Sequence, residues 1–206
     1  RLLLACFGVA GAVTDDVARL SNVPWLVDVR AVAERSGLAR CVLLNDLEAL
    51  GYAVPVLERN ELAVLQQGVA VADGNAAVIA AGTGLGEALL HRANGRLAPI
   101  PSEGGHADFA ARTDRELELV RMLRERYGRV SVEHILSGRG LLNLHAFTHR
   151  GGECDATSGL SEEEKPAHIS AAGLTGRCQG CVEALRMLAA AYGAEAGNLA
   201  LRGLAL

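Results

Sequence analysis

The chain has 206 residues, of which 50% are hydrophobic and only 3% are aromatic, so it can bury a sizeable core made mainly of Leu, Val and Ala. Its formal net charge of −4 argues against nucleic-acid binding, which depends on a basic surface. No apolar run reaches the ~18–20 residues of a membrane-spanning helix, so we do not expect a membrane protein.

The first part of the chain is predicted to alternate strands and helices. Gly37 is expected at the C′ position of the first helix, where glycine accommodates a left-handed backbone. A buried strand then delivers Asn45 and Asp46 at its carboxyl end, which is where open α/β sheets bind their ligands. In chain order, the predicted elements are strands over residues 1–10 and 17–20, a helix over 28–36, a strand over 41–44 and a helix over 47–57.

The rest of the chain is predicted to hold a β-hairpin and then mainly helices. The pair Asn94-Gly95 indicates the two-residue turn of the hairpin. The segment Gly151–Glu164 is rich in Gly, Ser and Glu and is predicted to be a mobile surface loop. The predicted elements are strands over 76–81, 87–91 and 96–100, a turn over 132–136, and helices over 115–127, 140–148, 178–192 and 194–206.

The five cysteines, an odd number, favour a reduced protein in the cytoplasm over a disulfide framework. Cys178 and Cys181 form a C-x-x-C pair, but a zinc site would need two further Cys or His ligands. Cys154 and His168 are available, although in no recognised pattern. We therefore interpret the pair as two small residues at the start of a helix and predict no metal site.

Asn45 and Asp46 have two possible roles. Asp46 could be the general base that accepts a proton from a sugar hydroxyl during phosphoryl transfer, and Asn45 could both donate to and accept from sugar hydroxyls. Asn and Asp are also strong N-capping residues. From this pair alone, capping of the following helix is the preferred interpretation.

The run Gly82-Thr83-Gly84-Leu85-Gly86 follows an apolar strand. Backbone N–H groups in such a loop can bind phosphate oxygens, and Thr83 adds a hydroxyl donor. The run is not a P-loop, because no Lys-Ser or Lys-Thr follows, and it lacks the spacing of a dinucleotide-binding fingerprint. A tight turn alone would need fewer glycines, so we favour phosphate binding.

Two further segments carry carboxylates. Glu103-Gly104-Gly105-His106 offers a carboxylate and an imidazole for sugar hydroxyls, with glycines that let the backbone approach a ligand closely. A metal site or an ordinary surface loop is the alternative. Glu133 precedes a Ser-Gly pair by four residues, but a glutamate near a helix start is usually solvated.

Taken together, six stretches of the chain resemble the bacterial glucokinase family, which belongs to the actin-like sugar-kinase superfamily. The resemblance implies an α/β, two-lobed, ribonuclease-H-like fold, of which this chain is a part. We place the lobe boundary near Val56, so that residues 1–56 belong to a small lobe and 57–206 to a large lobe. The matching stretches are residues 21–25 (SNVPW), 44–46 (LND), 81–86 (AGTGLG), 103–109 (EGGHADF), 132–141 (VEHILSGRGL) and 197–201 (GNLAL).

The resemblance also implies an activity: phosphorylation of glucose by ATP with Mg²⁺, in a cytoplasmic enzyme that forms a homodimer. Asp46 would be the catalytic base. The implied glucose ligands are Asn45, Asp46, Glu103, His106 and Glu133, and the implied phosphate-binding residues for ATP are Gly82, Thr83 and Gly84.

The family's first phosphate loop would precede Arg1, and its adenosine-binding Gly-Gly segment would follow Leu206. We therefore expect these 206 residues alone to phosphorylate glucose only at a trace rate. Two other interpretations stay open, namely a sugar-binding sensor without catalysis and an inactive fragment.

Overall fold

The computed structural model describes residues 3–20, 23–69 and 71–205, and these form mixed α/β structure, as predicted. The strands are β1 (Leu4–Val9), β2 (Val13–Thr14), β3 (Val17–Arg19), β4 (Leu26–Asp28), β5 (Arg40–Asn45), β6 (Ala76–Ala81), β7 (Leu85–Ala93) and β8 (Arg96–Ser102). The helices are α1 (Val29–Ser36), α2 (Asp46–Ala53), α3 (Asp114–Tyr127), α4 (Gly138–His149), α5 (Lys165–Leu174) and α6 (Gln179–Gly203). Short 3₁₀ turns cover Val54–Val56, Arg59–Glu61, Gly104–His106 and Val132–His134.

Within the described residues, the strands form three small sheets. β1 pairs in parallel with β5, in a register that sets Leu4 opposite Arg40 and Val9 opposite Asn45. β2, β3 and β4 form an antiparallel sheet, and β6, β7 and β8 form the third. The parallel pair positions the end of β5, where the sequence predicted a ligand-binding edge.

Local turn chemistry explains several element ends. Gly37 ends α1 with φ 63°, and Asn94 and Gly95 turn between β7 and β8 with φ 50° and 74°, which confirms both predicted turns. Asp28 caps α1 by accepting a hydrogen bond from the N–H of Arg30 at 2.8 Å.

Contacts between residues divide the chain into two compact units. Unit 1 comprises Arg1–Val78, Ala88–Pro101 and Gly203–Leu206, and unit 2 comprises Ile79–Glu87 and Ser102–Arg202. Each of β6, β7 and β8 contributes residues to both units. The predicted boundary near Val56 concerns the lobes of the complete family fold and stays a prediction.

Each unit has its own apolar core. In unit 1, Ala18, Val29 and Leu43 are buried. The larger core of unit 2 is aliphatic, as the composition predicted, and burying each of its Leu or Ile side chains stabilises the fold by about 1.5–3 kcal/mol. Its members include Leu119, Leu123, Leu144, Ile169 and Ala184, none more than 1% exposed.

The predicted helices differ most from the structure at two places in the chain. The helix predicted over 47–57 ends as α2 at Ala53, because Pro55 has no N–H with which to continue the helical hydrogen bonds. The prediction of separate helices over 178–192 and 194–206 is wrong, because α6 is continuous from Gln179 to Gly203. Gly193 within it costs only about 1 kcal/mol relative to Ala, and Ala191 and Glu195 beside it are buried.

The segment predicted as a mobile surface loop over 151–164 is partly buried, since Cys154 is only 8% and Thr157 only 7% exposed. α5 follows it and was not predicted. Parts of three other predictions lie outside the described residues: positions 1 and 2 of the first strand, positions 21 and 22 of the first matching stretch, and position 206 of the last helix.

Candidate functional site

Asn45 and Asp46 lie in unit 1, at the junction of β5 and α2. The Asn45 side chain caps α2, because its Oδ1 accepts hydrogen bonds from the N–H groups of Leu47 at 2.9 Å and Glu48 at 3.3 Å. Its Nδ2 donates to the carbonyl oxygen of Gly11 at 3.1 Å. Asp46 is exposed, and its Oδ1 accepts from the N–H of Leu47 at 2.9 Å. The Asn45 amide therefore makes three hydrogen bonds within the protein, whereas the Asp46 carboxylate makes one.

The glycine loop of unit 2 joins β6 to β7 and rests on the first turn of α4. The N–H of Gly82 donates to the carbonyl of Gly84 at 2.8 Å, and the carbonyl of Gly82 accepts from the N–H of Gly138 at 2.8 Å. In the part of the chain that the structure describes, no hydrogen bond uses the N–H of Thr83 or Gly84. These two donors are therefore available to an anion.

Glu133 is directly joined to this loop. Its Oε2 accepts a hydrogen bond from the N–H of Leu85 at 2.9 Å. A Cβ atom on Gly84 would lie 2.6 Å from the same oxygen, so the loop needs glycine there to let the carboxylate approach. The sequence by itself indicated no role for Glu133, but its carboxylate and the phosphate-loop backbone are in contact.

The Glu103–His106 segment forms a 3₁₀ turn in unit 2, with both side chains exposed. Nε2 of His106 lies 3.7 Å from Oε2 of Glu103. Gly105 is buried against the start of β7, where a Cβ atom would come within 2.3 Å of the carbonyl oxygen of Leu85. The turn is thus held close to the strand that leaves the glycine loop.

A backbone hydrogen bond links this turn to the segment that carries Glu133. The N–H of Val132 donates to the carbonyl of Ala107 at 2.9 Å. Unit 2 therefore brings together three of the predicted segments: the glycine loop, the Glu103–His106 turn and the turn with Glu133. Asn45 and Asp46 belong to unit 1, and their convergence with the other ligands on one sugar stays a prediction.

Sequence reasoning did not single out His134, which follows Glu133 and anchors the turn that carries it. Nδ1 of His134 accepts from the N–H of Ser131 at 3.0 Å, and its ring stacks on Tyr127 with centroids 4.1 Å apart. Burial lowers the pKa of His134, so the neutral ring is favoured. Asn143 joins the two, since it accepts from the Tyr127 hydroxyl at 3.1 Å and donates to the His134 carbonyl at 2.8 Å.

Glu87 on β7 is a second residue that the sequence did not single out. It is 1% exposed, and neither carboxylate oxygen has a hydrogen-bond partner within the described residues. Burial raises the pKa of Glu87, and the nearby charge of Glu195 raises it further. A Cβ atom on Gly104 would lie 2.0 Å from Oε2 of Glu87, which explains the glycine at that position of the Glu103–His106 turn.

The C-x-x-C pair begins α6, as predicted, but its residues are not simply two small side chains. In unit 2, the ligand atoms of His145, His149, Cys154 and Cys181 all lie within 4.8 Å of one another. Sγ of Cys178 contacts two members of this group, Nε2 of His149 at 3.2 Å and Sγ of Cys154 at 3.8 Å. His168, the histidine considered from the sequence, does not belong to the group of neighbouring ligand atoms found among the described residues. The signal that could have identified His149 is its position four residues after His145 on one helix face.

Comparison with known proteins supports one family. The family model described as Glucokinase matches residues 1–206. The chain is 40% identical over 202 residues to a glucokinase of Chromobacterium violaceum, covering 98% of this chain and 56% of that protein. It is 35% identical over 215 residues to a glucokinase of a Nostoc species, covering 96% of this chain and 63% of that protein.

A solved structure is also similar: a glucokinase from an Antarctic psychrotroph superposes with a TM-score of 0.80 at 32% identity, covering 97% of this chain and 61% of that one. This similarity confirms the α/β sugar-kinase fold. The chain spans less than two thirds of the length of these relatives. None of the helices in the described part of the chain has an apolar stretch that could span a bilayer.

Proposed function

The chain belongs to the glucokinase family, and we propose that it carries the glucose-binding and much of the phosphate-binding machinery of an enzyme that converts ATP and glucose to ADP and glucose 6-phosphate. Phosphoryl transfer requires the acceptor hydroxyl to lie beside the terminal phosphate. The observation that carries the proposal is the hydrogen bond from the Leu85 N–H to the Glu133 carboxylate at 2.9 Å. This hydrogen bond joins a carboxylate that can accept from sugar hydroxyls to a loop in which the N–H groups of Thr83 and Gly84 have no hydrogen-bond partner among the described residues.

The proposed roles follow from the chemistry of each group. Asp46 accepts the proton of the attacking hydroxyl. Its carboxylate is exposed, and among the described residues its hydrogen bond is to the N–H of the adjacent Leu47, which leaves the second oxygen available. The proposed sugar ligands are Asn45, Asp46, Glu103, His106 and Glu133, which supply acceptors and donors for hydroxyls. Gly82, Thr83 and Gly84 bind phosphate oxygens of ATP.

Mg²⁺ is part of the proposal as a companion of the nucleotide. It prefers oxygen ligands and is often held through substrate phosphates with few protein groups. The glycine loop offers N–H donors and the Thr83 hydroxyl, a set that fits phosphate oxygens better than a bare cation. When bound with ATP, the ion neutralises charge on the phosphates. A homodimer, a cytoplasmic location and a lobe boundary near Val56 complete the proposal.

The decisive variant is Asp46→Asn, studied in the protein that carries this chain. Loss of a general base lowers turnover by about 10²–10⁴-fold. Asn has the same size as Asp and keeps an oxygen that can accept from the Leu47 N–H and from a sugar hydroxyl, so we expect thermal stability and glucose affinity to change little. Steady-state kinetics with a coupled glucose 6-phosphate assay measures the turnover, and calorimetry measures the glucose affinity.

Asp28→Asn is the matched control, because Asp28 also starts a helix in unit 1 and accepts a backbone N–H. It should leave turnover unchanged. Near-normal turnover of the Asp46→Asn enzyme would assign Asp46 to helix capping. Glucose binding without any phosphorylation by the unaltered protein would favour a sugar sensor.

A further inference from the structure

Three cysteine sulfurs and a histidine nitrogen meet in unit 2, where α4 ends and α6 begins. Sγ of Cys154 lies 3.8 Å from Sγ of Cys178 and 3.8 Å from Sγ of Cys181. Nε2 of His149 lies 3.2 Å from Sγ of Cys178. A further histidine, His145, has a ring nitrogen within 4.8 Å of the ligand atoms of His149, Cys154 and Cys181.

The spacing of the sulfurs fits a tetrahedral metal site. With zinc–sulfur bonds of about 2.3 Å, two thiolates at the tetrahedral angle lie about 3.8 Å apart. A disulfide would require about 2.05 Å between the sulfurs, and all five cysteines are free thiols. A zinc-bound imidazole nitrogen would lie about 3.5 Å from each sulfur, close to the 3.2 Å between His149 and Cys178.

His149 is already oriented as a metal ligand. Its Nδ1 lies 2.8 Å from the carbonyl oxygen of His145, and because a carbonyl only accepts, Nδ1 carries the proton. Nε2 then presents its lone pair toward Cys178. Such a hydrogen bond behind a ligating histidine is typical of zinc sites. A Cβ atom on Gly180 would come within 2.6 Å of the His149 ring, so the glycine inside the C-x-x-C pair makes room for it.

Two of the four ligands are buried and two are partly exposed. Cys181 is fully buried and Cys154 is 8% exposed, whereas Cys178 and His149 are half-buried. Four protein ligands around one point suit a structural site. Its members come from the end of α4, the glycine-rich segment after it, the residue before α6 and the first turn of α6. An ion at this point would connect three segments that no disulfide connects.

We propose that Cys154, Cys178, Cys181 and His149 bind one Zn²⁺ as a structural site. Each thiol releases its proton to solvent on binding, so three thiolates and one neutral imidazole coordinate the ion. His145 supplies the carbonyl that orients His149 and is not a ligand. The site does not depend on the proposed kinase activity, because the residues of the two sites are different.

The first test measures metal in the unaltered protein, produced without a histidine tag and never exposed to chelator. Elemental analysis should find about one zinc per chain. Replacing zinc with cobalt should produce the visible absorption of a tetrahedral cobalt–thiolate complex. Zinc-free protein in which mass spectrometry finds three free thiols, or a disulfide among Cys154, Cys178 and Cys181, would overturn the proposal.

Variants then test the ligand set. Cys154→Ser, Cys178→Ser, Cys181→Ser and His149→Gln should each lose the bound zinc, whereas Cys41→Ser, which alters a thiol of unit 1, should retain it. His145→Gln should also retain zinc, since its backbone carbonyl is unchanged. Loss of zinc from His145→Gln with retention in His149→Gln would contradict the assignment.

A measurement on the unaltered protein guards against variants that do not fold. Removal of zinc with a chelator should lower the midpoint of thermal unfolding, and added zinc should restore it, because the ion binds the folded state. A midpoint that the chelator leaves unchanged would contradict a structural role. Glucose affinity measured in parallel distinguishes failure of this proposal from failure of the proposed function.

Discussion

Two buried glutamates of unit 2 have pKa values shifted in opposite directions. Glu87 has no hydrogen-bond partner among the described residues, and burial raises its pKa. Glu116 is also buried, and burial alone would raise its pKa, but hydrogen bonds from Arg112 at 2.6 and 2.7 Å lower it overall. The difference lies in the partner rather than in the exposure.

Glu87→Gln should therefore change how stability depends on pH. Because the folded-state pKa lies above the usual 4.5, the folded protein holds a proton that the unfolded chain loses, and stability falls as pH rises through that interval. Gln cannot ionise. Between low and high pH, the stability of the variant relative to the unaltered protein should therefore rise by about 1.4 kcal/mol for each unit by which the pKa of Glu87 is raised. Urea unfolding at pH 4 and pH 8 would measure the gain.

Glu116→Gln is the control with the opposite sign. Because the pKa of Glu116 is lowered, its carboxylate stabilises the folded state at pH values above the usual pKa of 4.5. This stabilisation is lost as the pH falls through the folded-state pKa. This variant should be destabilised at pH 8 and less so at low pH. If both variants show the same pH dependence, then burial without a partner is not what distinguishes Glu87.

Candidate site residues could be proposed from the sequence, but their local partners could not. The resemblance implies a role for Glu133, which stays a prediction, and the hydrogen bond from Leu85 to Glu133 joins positions 48 apart in the sequence. Glu87 looked like an ordinary strand residue, because no local pattern reveals that its carboxylate is buried without a hydrogen-bond partner among the described residues. Such facts depend on packing between distant segments, which a single sequence does not encode in readable form.

At the scale of elements, the contact between the glycine loop and Glu133 explains why position 84 is a glycine and predicts the effect of replacing it. Ala at position 84 would place Cβ 2.6 Å from the Glu133 carboxylate, whereas Ala at position 82 would meet no atom within 4 Å. Gly84→Ala should therefore displace Glu133 and weaken glucose binding by about 1.5–3 kcal/mol, the value of a hydrogen bond to a charged group. Calorimetric titration with glucose measures it.

Gly82→Ala is the matched control for this measurement and should leave glucose affinity unchanged. Because the clash at position 84 involves the end of a flexible side chain, neither variant should be strongly destabilised. Equal loss of glucose affinity in both variants would mean that Glu133 does not bind the sugar through this arrangement.

The continuity of α6 gives a second test at this scale. Gly193 lies within the helix, is exposed and has open space where a Cβ atom would be. Gly193→Ala should stabilise the protein by about 0.5–1 kcal/mol, because Ala loses less backbone entropy in a helix. Chemical denaturation measures this gain. If the region were two helices with a break at Gly193, the substitution would destabilise instead.

Gly173→Ala, in α5, is the comparison for a crowded helical glycine. Its Cβ atom would lie 2.6 Å from Leu185 and 2.8 Å from the backbone carbonyl of Cys181. Overpacking of this kind costs about 1–3 kcal/mol. Opposite signs for the two substitutions would show that packing, and not helix propensity, separates these glycines.

Element prediction succeeded where local chemistry decides and failed where packing does. Gly37 and Asn94-Gly95 ended elements at the expected places, because left-handed backbone conformations favour these residues. α5 was missed because the polar stretch before it resembles a loop. α6 was predicted as two helices separated at Gly193. It is continuous because the cost of a helical glycine is small compared with the stabilisation from the buried residues around it.

At the scale of the whole molecule, the family was identifiable from the sequence because its stretches are specific in combination. The α/β class and the sugar-kinase fold are confirmed. The catalytic arrangement is harder to predict from the sequence. Asn45 and the proposed base Asp46 lie in unit 1, whereas Glu103, His106 and Glu133 lie in unit 2. That they meet on one sugar stays a prediction for the protein that carries this chain.

The central claim is that these residues serve ATP-dependent phosphorylation of glucose. The most direct measurement is formation of glucose 6-phosphate from ATP and glucose by the protein that carries this chain with its natural flanking sequence. We predict product formation that requires both substrates and falls by about 10²–10⁴-fold in Asp46→Asn. A folded protein that binds glucose but forms no glucose 6-phosphate, or an Asp46→Asn variant with full activity, would contradict the account.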